Sequence, residues 1–316
     1  MHHKLLDSKY TSIKQLIYSY LIESLSINTY QIEKISIKDE EKNLYKDRDN
    51  SRVLYISGMA LRLSKSQNRK AMELASAIAS DISGICRGVF SIQVVPPGWI
   101  HFELTHSTLA TWLQSLVVGS LEGDERTIDA PCPMPNTSLR EAAPTTSLLR
   151  HRSVQVSTSA QCPMPNSLFA VQYAHARCCS LVLLAHREGL IELREPVPNA
   201  SPAFWSVIAP NPIPWLNYDG TLRLNHPDER QLIAELVRVV DNIECPDISG
   251  SVKWEKIALN LSQAFEKFWS NCRIWGEVKI TSPEVAQARL GLLMATQSVL
   301  RYVLEENLGV FAPLEL

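Results

Sequence analysis

Apolar residues near the carboxy-terminus recur with the spacing of α-helices. Two series follow the i, i+3, i+4, i+7 pattern of a helix that buries one face against a core. The first series is Trp254, Ile257, Ala258, Leu261, Phe265 and Phe268, and the second is Val285, Ala288, Leu292, Thr296, Val299 and Val303. Ser282 is placed to cap the second helix, with Pro283 at its first position.

A third helix is predicted to begin at His226-Pro227-Asp228-Glu229-Arg230, because acidic side chains in a first turn interact favourably with the helix dipole. Residues 166–316 are therefore predicted to form an all-α helix bundle. A Pro-rich excursion from Pro196 to Pro214 interrupts the helical pattern. We refer to residues 166–316 as the carboxy-terminal region.

Residues 1–118, the amino-terminal region, mix helix and strand patterns. The stretch from Ala71 to Asp81 is rich in good helix formers, and Phe90 to Val95 is a β-branched run that ends at Pro96-Pro97-Gly98. The alternation from Trp99 to Leu104 predicts a second strand after that turn. This region is therefore predicted to be an α+β domain.

Residues 119–165 contain scattered Pro, Ser, Thr and Ala without a sustained period, so they are predicted to form a flexible linker. Within them the heptapeptide Ala130–Asn136 recurs in similar form at Ala160–Asn166. Each copy offers one thiol, Cys132 or Cys162, whereas zinc sites use closely spaced ligand pairs. We therefore predict no metal site and regard the repeat as a short duplication.

Composition places the chain among globular proteins without a strong charge. Hydrophobic residues make up 45% of its 316 residues, and the net charge is −2. Bulk charge thus gives no support for nucleic-acid binding, and any RNA must be held by local basic groups and by stacking. No apolar stretch resembles a signal peptide or a bilayer-spanning segment. We expect a cytoplasmic protein with reduced cysteines and no membrane partner.

Four segments of the carboxy-terminal region resemble arginyl-tRNA synthetases, in the order found in that family. They are Val171–Arg177 (VQYAHAR), His226–Arg230 (HPDER), Ala264–Arg273 (AFEKFWSNCR) and the stretch from Ala288 to Gly309. The resemblance covers essentially all of residues 166–316 and implies the fold of the DALR anticodon-binding domain. It also implies a tRNA partner, with arginine tRNA favoured.

The amino-terminal region resembles the additional domain that precedes the catalytic domain in these synthetases and contacts the tRNA elbow. The similar parts are Tyr55 to Asp81, which includes Ala60–Lys65, and the strand Pro97–Leu104. The catalytic domain itself has no counterpart: a HIGH motif does not occur, and Arg62-Leu63-Ser64-Lys65-Ser66 resembles a KMSKS loop but lies within the amino-terminal match. We predict no catalytic residues and no cofactor.

For the anticodon loop, the resemblance implies contacts from Tyr173, Arg177 and Gln172. Tyr173 and Arg177 lie four residues apart and therefore on one helix face. The family carries an aromatic residue where this chain has Ala170, and the chain end Ala312–Leu316 lacks the Arg and Met typical of the family. An alternative interpretation has Tyr173 packed in the core and Arg177 on the helix surface.

For the tRNA elbow, the resemblance implies contacts from the strand that begins at Trp99. Strand alternation puts Trp99 and His101 on one face and Phe102 on the other, so at most two of these three can meet RNA. Four cations that cluster along the adjoining predicted helix are candidates for phosphate contacts: Arg62, Lys65, Arg69 and Lys70. An equally good interpretation is that these four residues form a solvent-exposed basic face that binds no ligand.

Three functions follow as hypotheses. The first is a tRNA-binding, arginyl-tRNA synthetase-like protein without its own catalytic domain, which grips the tRNA elbow and anticodon loop. The second is a subunit that completes a separate catalytic chain and so supports arginyl-tRNA aminoacylation in trans. Besides tRNA, the partners considered are a separate synthetase and a tRNA-modifying enzyme. The third is a protein-interaction scaffold that no longer binds RNA.

Overall fold

A computed structural model describes residues 11–27, 44–118, 166–194, 207–245 and 252–316. The amino-terminal region contains four helices and four strands within these ranges. In chain order they are α1 (Ile13–Ile27), β1 (Leu44–Lys46), β2 (Leu54–Ser57), α2 (Met59–Gln67), α3 (Ala71–Cys86), β3 (Phe90–Val95), β4 (Trp99–Leu104) and α4 (His106–Val118). The predicted α+β character is confirmed.

The four strands form one antiparallel sheet in the order β1-β2-β4-β3. The turn between β3 and β4 requires glycine at position 98, which has φ +144° and lies so close to α3 that an added Cβ would approach Ala71 Cβ to 2.9 Å. Along β4, Phe102 points into the core and is only 1% exposed, while its neighbour His101 is half-buried on the other face. The predicted alternation of β4 is confirmed.

The carboxy-terminal region consists mainly of helices. They are α5 (Asn166–Arg187), α6 (Pro227–Glu244), α7 (Trp254–Asn271), α8 (Glu277–Thr281) and α9 (Pro283–Tyr302), followed by a π-helical turn (Val303–Asn307). The Pro-rich excursion contributes a two-stranded sheet from β5 (Glu192–Leu193) and β6 (Val207–Ala209). The predicted helix bundle is therefore confirmed, with this small sheet as an addition.

Local sequence explains where the helices of the bundle begin. His226 caps α6 by accepting a hydrogen bond from the Asp228 backbone, while the Glu229 carboxylate accepts one from the His226 backbone N–H at 2.7 Å. Pro283 occupies the first position of α9 as predicted, but the Ser282 side chain makes no capping hydrogen bond. The buried stripes of α7 and α9 match the apolar periods of the sequence.

The two regions pack directly against each other. Helix α4 lies along α9, and the side-chain oxygen of Gln114 in α4 accepts hydrogen bonds from the Ile213 backbone N–H at 3.0 Å and from Trp215 Nε1 at 2.8 Å. Trp215 in turn covers Gly291 of α9, where an added Cβ would come within 2.6 Å of the indole. The described parts of the chain thus form one packed unit, although the sequence predicts two domains joined by a linker.

The linker segment, with its duplicated heptapeptide and with Cys132 and Cys162, lies outside the described residues. Among the described residues, Cys86, Cys178, Cys179, Cys245 and Cys272 are all free thiols. One described helix, residues Leu168–Arg187 of α5, is long and apolar enough to cross a membrane, with 56% of that stretch buried inside the protein. Buried core helices of globular proteins have the same composition.

Candidate nucleic-acid interface

A stripe of exposed residues runs along α5 at a spacing of four. Phe169 is 56% exposed and Tyr173 is 46% exposed, and the next residue in the stripe, Arg177, is exposed as well. The opposite face, which includes Val171 and Cys178, is fully buried in the bundle. The alternative that Tyr173 packs in the core is therefore wrong, and its ring is open to solvent.

Arg177 is held in place by an aromatic ring of the neighbouring helix α7. Its guanidinium carbon lies 5.4 Å from the centroid of Trp269, within the range of a cation–π contact. Trp269 itself packs edge-to-face on Trp275, with 5.7 Å between the ring centroids. Because the guanidinium already lies over one ring, less side-chain entropy remains to be lost when its other face contacts a ligand.

Gln172, which the resemblance implies as an anticodon-loop contact, makes a bond within the protein. Its amide Nε2 donates to the backbone carbonyl of Phe311 at 2.8 Å and so anchors the last residues of the chain to α5. His175 continues this anchoring, since its Nδ1 lies 2.8 Å from the Pro313 carbonyl and its Nε2 lies 2.9 Å from Gln297 Nε2. Burial lowers the pKa of His175, so the neutral ring donates to Pro313 and accepts from Gln297.

Two aromatic residues of this surface escaped the sequence analysis. Phe169 precedes Tyr173 by one helical turn and supplies an exposed aromatic ring next to Ala170. Phe311 is 73% exposed and belongs to the chain end that Gln172 holds against α5. Phe169 could have been found from its i, i+4 spacing to Tyr173, whereas the position of Phe311 depends on a tertiary contact. We call Phe169, Tyr173, Arg177 and Phe311 the aromatic surface.

The amino-terminal region presents a second candidate surface on its sheet. Trp99 and His101 are half-buried on the outer face of β4, and Trp99 covers Gly58 at the start of α2, where an added Cβ would approach the indole to 2.8 Å. Phe102 is buried and packs edge-to-face on Phe90 at 6.1 Å, so the prediction that it contacts RNA is wrong. Its side chain supports the sheet from the core side.

Tyr45 is a further exposed aromatic on this sheet that the sequence analysis missed. It is 55% exposed and lies directly across from Ile56, which in turn lies across from His101. Residues in register on neighbouring antiparallel strands share a face. Tyr45, Ile56 and His101 therefore form a row across three strands, on an outer face that also carries Trp99.

The four cations proposed for phosphate contacts are all exposed. Arg62 and Lys65 lie on α2, but the helix ends after Gln67, where Asn68 adopts a left-handed conformation with φ 52°. Arg69 and Lys70 therefore lie in the connection to α3 and not along the helix, and Lys70 Nζ is 3.5 Å from the Glu73 carboxylate.

Comparison with known proteins finds similarities to the carboxy-terminal region. The DALR anticodon binding domain matches residues 171–316. An arginine–tRNA ligase of Synechococcus sp. (strain JA-3-3Ab) is 32% identical over 149 residues, which are 47% of this chain and 22% of that protein. The chloroplastic/mitochondrial arginine–tRNA ligase of Arabidopsis thaliana is 31% identical over 138 residues, or 43% of this chain and 17% of that protein.

These matches show that residues 171–316 are similar to the DALR anticodon binding domain and to part of the arginine–tRNA ligases. The chain spans about a fifth of the length of the curated relatives it matches, at 22% of the first ligase and 17% of the plant enzyme. No solved structure gives a significant match.

Proposed function

We propose that this protein binds tRNA, with the aromatic surface of α5 holding unpaired bases of the anticodon loop. The observation that carries the proposal is the exposed stripe of Phe169, Tyr173 and Arg177 at the start of a DALR anticodon binding domain. Bases of a loop can leave the stack and lie on aromatic or guanidinium planes, which is the commonest way in which proteins read RNA.

Physical chemistry supports a binding role for this surface. Exposing large apolar side chains to water is unfavourable, and patches of such side chains mark interaction sites in folded proteins. Tyr173 and Phe311 offer ring faces, while Arg177 adds a charge that both stacks and pairs with phosphate. Because the net charge of the chain is −2, its overall charge does not attract RNA, and binding depends on such local contacts.

The amino-terminal region is proposed to hold a second part of the same tRNA, the elbow. Trp99 and His101 supply a stacking and hydrogen-bonding face, and Tyr45 extends it across the sheet. Arg62 and Lys65 on α2, with Arg69 and Lys70 beyond it, would pair with phosphates. The exposure of all four cations supports this assignment.

We further propose that the described chain acts without aminoacylation chemistry of its own. Its sequence lacks the HIGH motif, and Gln114 and Trp215 pack the two regions directly against each other. A second function, support of arginyl-tRNA aminoacylation in trans, is favoured by the relatives, which are arginine–tRNA ligases. In that case the partner is a separate synthetase chain.

The test is recovery and sequencing of RNA crosslinked to the purified full chain. Enrichment of tRNA is expected, and enrichment should be lost when Tyr173 and Arg177 are both replaced by Ala. Tyr218→Ala is the matched control, because Tyr218 is a fully exposed aromatic at 103% that lies outside both surfaces. A folded double variant that still enriches the same tRNAs as the wild-type protein would contradict the anticodon-loop assignment and favour the scaffold hypothesis.

A further inference from the structure

A cleft of about 330 Å³ lies where the amino-terminal and carboxy-terminal regions meet. One wall is formed by the end of β1 and the residues after it, with Lys46 and Arg48, and the other wall by α6, with Arg238. Lys14, at the start of α1, closes one side. The cleft lies apart from the aromatic surface, because none of the residues that form that surface line it.

Lys46 is the most unusual residue of the cleft. Its ammonium donates one hydrogen bond, of 2.6 Å, to the backbone carbonyl of Ala234, and within the described parts of the chain it has no ion pair. An ammonium group has three N–H donors. Burial lowers the pKa of Lys46 to about 8, which is the behaviour of a charge that is desolvated without full compensation.

The acid nearest to this lysine is already occupied. The carboxylate of Asp241 accepts hydrogen bonds from Ser12 Oγ at 2.8 Å and from the Lys14 backbone N–H at 3.1 Å, and it also accepts one from the Tyr55 hydroxyl. These donors come from the amino-terminal region and occupy three of the roughly four acceptor sites of the carboxylate. Asp241 lines the cleft. The Lys46 ammonium donates to the Ala234 carbonyl and not to this carboxylate, and two of its three N–H donors remain for a ligand.

Two exposed guanidinium groups stand at the mouth of the cleft. Arg48 makes no side-chain ion pair with any described residue. Arg238 Nη2 lies 3.3 Å from Glu235 Oε1, and this is its one ion pair with a described residue. The charged groups that face Lys46 are Asp241, Arg238 and Glu235 from α6, Asp47 and Arg48 after β1, and Lys14 from α1. Cations outnumber acids in this set when Lys46 is included.

We propose that this cleft binds a phosphate group, held by Lys46 and Arg48 of the amino-terminal region and Arg238 of the carboxy-terminal region. Guanidinium and ammonium donors that converge on a partly enclosed site match the oxygens of a tetrahedral oxyanion. A bound phosphate would bridge the two regions and stabilise their packing. The same chemistry is offered by a free phosphate compound and by the backbone of a bound RNA.

The test is calorimetric titration of the full chain with sodium sulfate, against sodium chloride at matched ionic strength. Sulfate has the shape and charge of phosphate but does not titrate near neutral pH. Near pH 8 about half of the Lys46 side chains are protonated, and an anion raises that fraction. Sulfate binding should therefore take up protons, which is seen as a heat that depends on the buffer. Lys46→Met should abolish this uptake.

Two exposed arginines give variants that keep the fold. Replacing both Arg48 and Arg238 by Gln should weaken sulfate binding at least about tenfold, as expected for the loss of two charge-assisted contacts. The matched control replaces Lys256 and Arg187, which are exposed and lie outside the cleft, and should bind sulfate like the wild-type protein. Equal affinity in the two double variants, or no sulfate binding by the wild-type chain, would overturn the proposal.

Further titrations with inorganic phosphate, adenosine monophosphate and tRNA identify the source of the phosphate. Displacement of sulfate by tRNA supports an RNA backbone in the cleft, and binding of adenosine monophosphate with tRNA present supports a free ligand. Either result supports the site only if the double variant of Arg48 and Arg238 no longer shows that displacement or that binding. The test does not depend on the proposed function, because sulfate binding can be measured whether or not the chain binds tRNA.

Discussion

The hydroxyl of Tyr55 in strand β2 donates a buried hydrogen bond to the carboxylate of Asp241 in helix α6, and this bond joins the two regions of the chain. Tyr55 is 1% exposed and Asp241 is 8% exposed. The same carboxylate caps α1 through the Lys14 backbone N–H and holds Ser12. One acidic side chain thus fixes three elements, and burial raises its pKa.

Removal of the Tyr55 hydroxyl should destabilise the protein. Tyr55→Phe leaves the buried Asp241 carboxylate with one donor fewer, which costs about 1–3 kcal/mol of unfolding free energy. Urea unfolding followed by circular dichroism measures this loss. Tyr45→Phe, which removes a hydroxyl from an exposed ring on the same sheet, is the control and should be neutral. Equal stability of the two variants would mean that Asp241 is satisfied without Tyr55.

The aromatic surface should lose tRNA affinity when either ring of α5 is removed. Tyr173→Ala and Phe169→Ala should each cost roughly 1–3 kcal/mol, which is the range for a base stacked on an aromatic side chain. Phe169→Leu keeps apolar area without a flat ring, so it should lose most of this contribution, whereas Phe169→Trp should retain it. Filter binding with labelled tRNA provides the measurement, and circular dichroism must show intact helices. A Leu variant with full affinity would argue against stacking.

Arg177 should contribute through both its plane and its charge. Arg177→Ala should weaken tRNA binding and, if the guanidinium meets a phosphate, reduce the slope of log affinity against log salt by about 1. Arg177→Lys keeps the charge but loses the planar guanidinium that lies over Trp269. This variant should therefore have the salt slope of the wild-type protein but a lower tRNA affinity. Arg187→Ala, an exposed arginine on the same helix, controls for bulk charge. An unchanged slope in Arg177→Ala would exclude a phosphate contact at this residue.

Limited proteolysis should cut the chain first between about residues 119 and 165, because the sequence of this segment predicts unpacked backbone. The two fragments should remain associated, since Gln114 bonds to Trp215 and Tyr55 bonds to Asp241 across their boundary. Gel filtration of the nicked protein without denaturant checks this. Elution of two separate fragments would contradict the packing of the two regions, and a chain uncut in this segment would contradict the predicted linker.

The purified chain should not catalyse ATP–pyrophosphate exchange with arginine or any other amino acid. Class I synthetases neutralise the ATP phosphates with their HIGH and KMSKS motifs, and the only sequence here that resembles KMSKS lies on α2, with Arg62 and Lys65 exposed to solvent. Exchange above the level of a Lys65→Ala variant prepared in parallel would show that this prediction is wrong.

The periodic parts of the fold could be predicted from the sequence. Phe265 and Phe268 follow the helical period and are buried, and β4 alternates as expected, because local patterning decides which side of an element faces the core. The contact between Tyr55 and Asp241 could not be predicted, since it joins residues 186 positions apart through tertiary packing. For the same reason, the bond from Gln172 to the Phe311 carbonyl could not be predicted.

The close approach of Trp215 to Gly291 leaves no room for a side chain at that position of α9. Because the same indole is bonded to Gln114, the contact sets how the sheet of the amino-terminal region is held relative to the helix bundle. Because this arrangement is fixed, the distance between the sheet face and the aromatic surface is also fixed. The protein would then bind an RNA at both surfaces only if the two contacted parts of that RNA lie at the same separation.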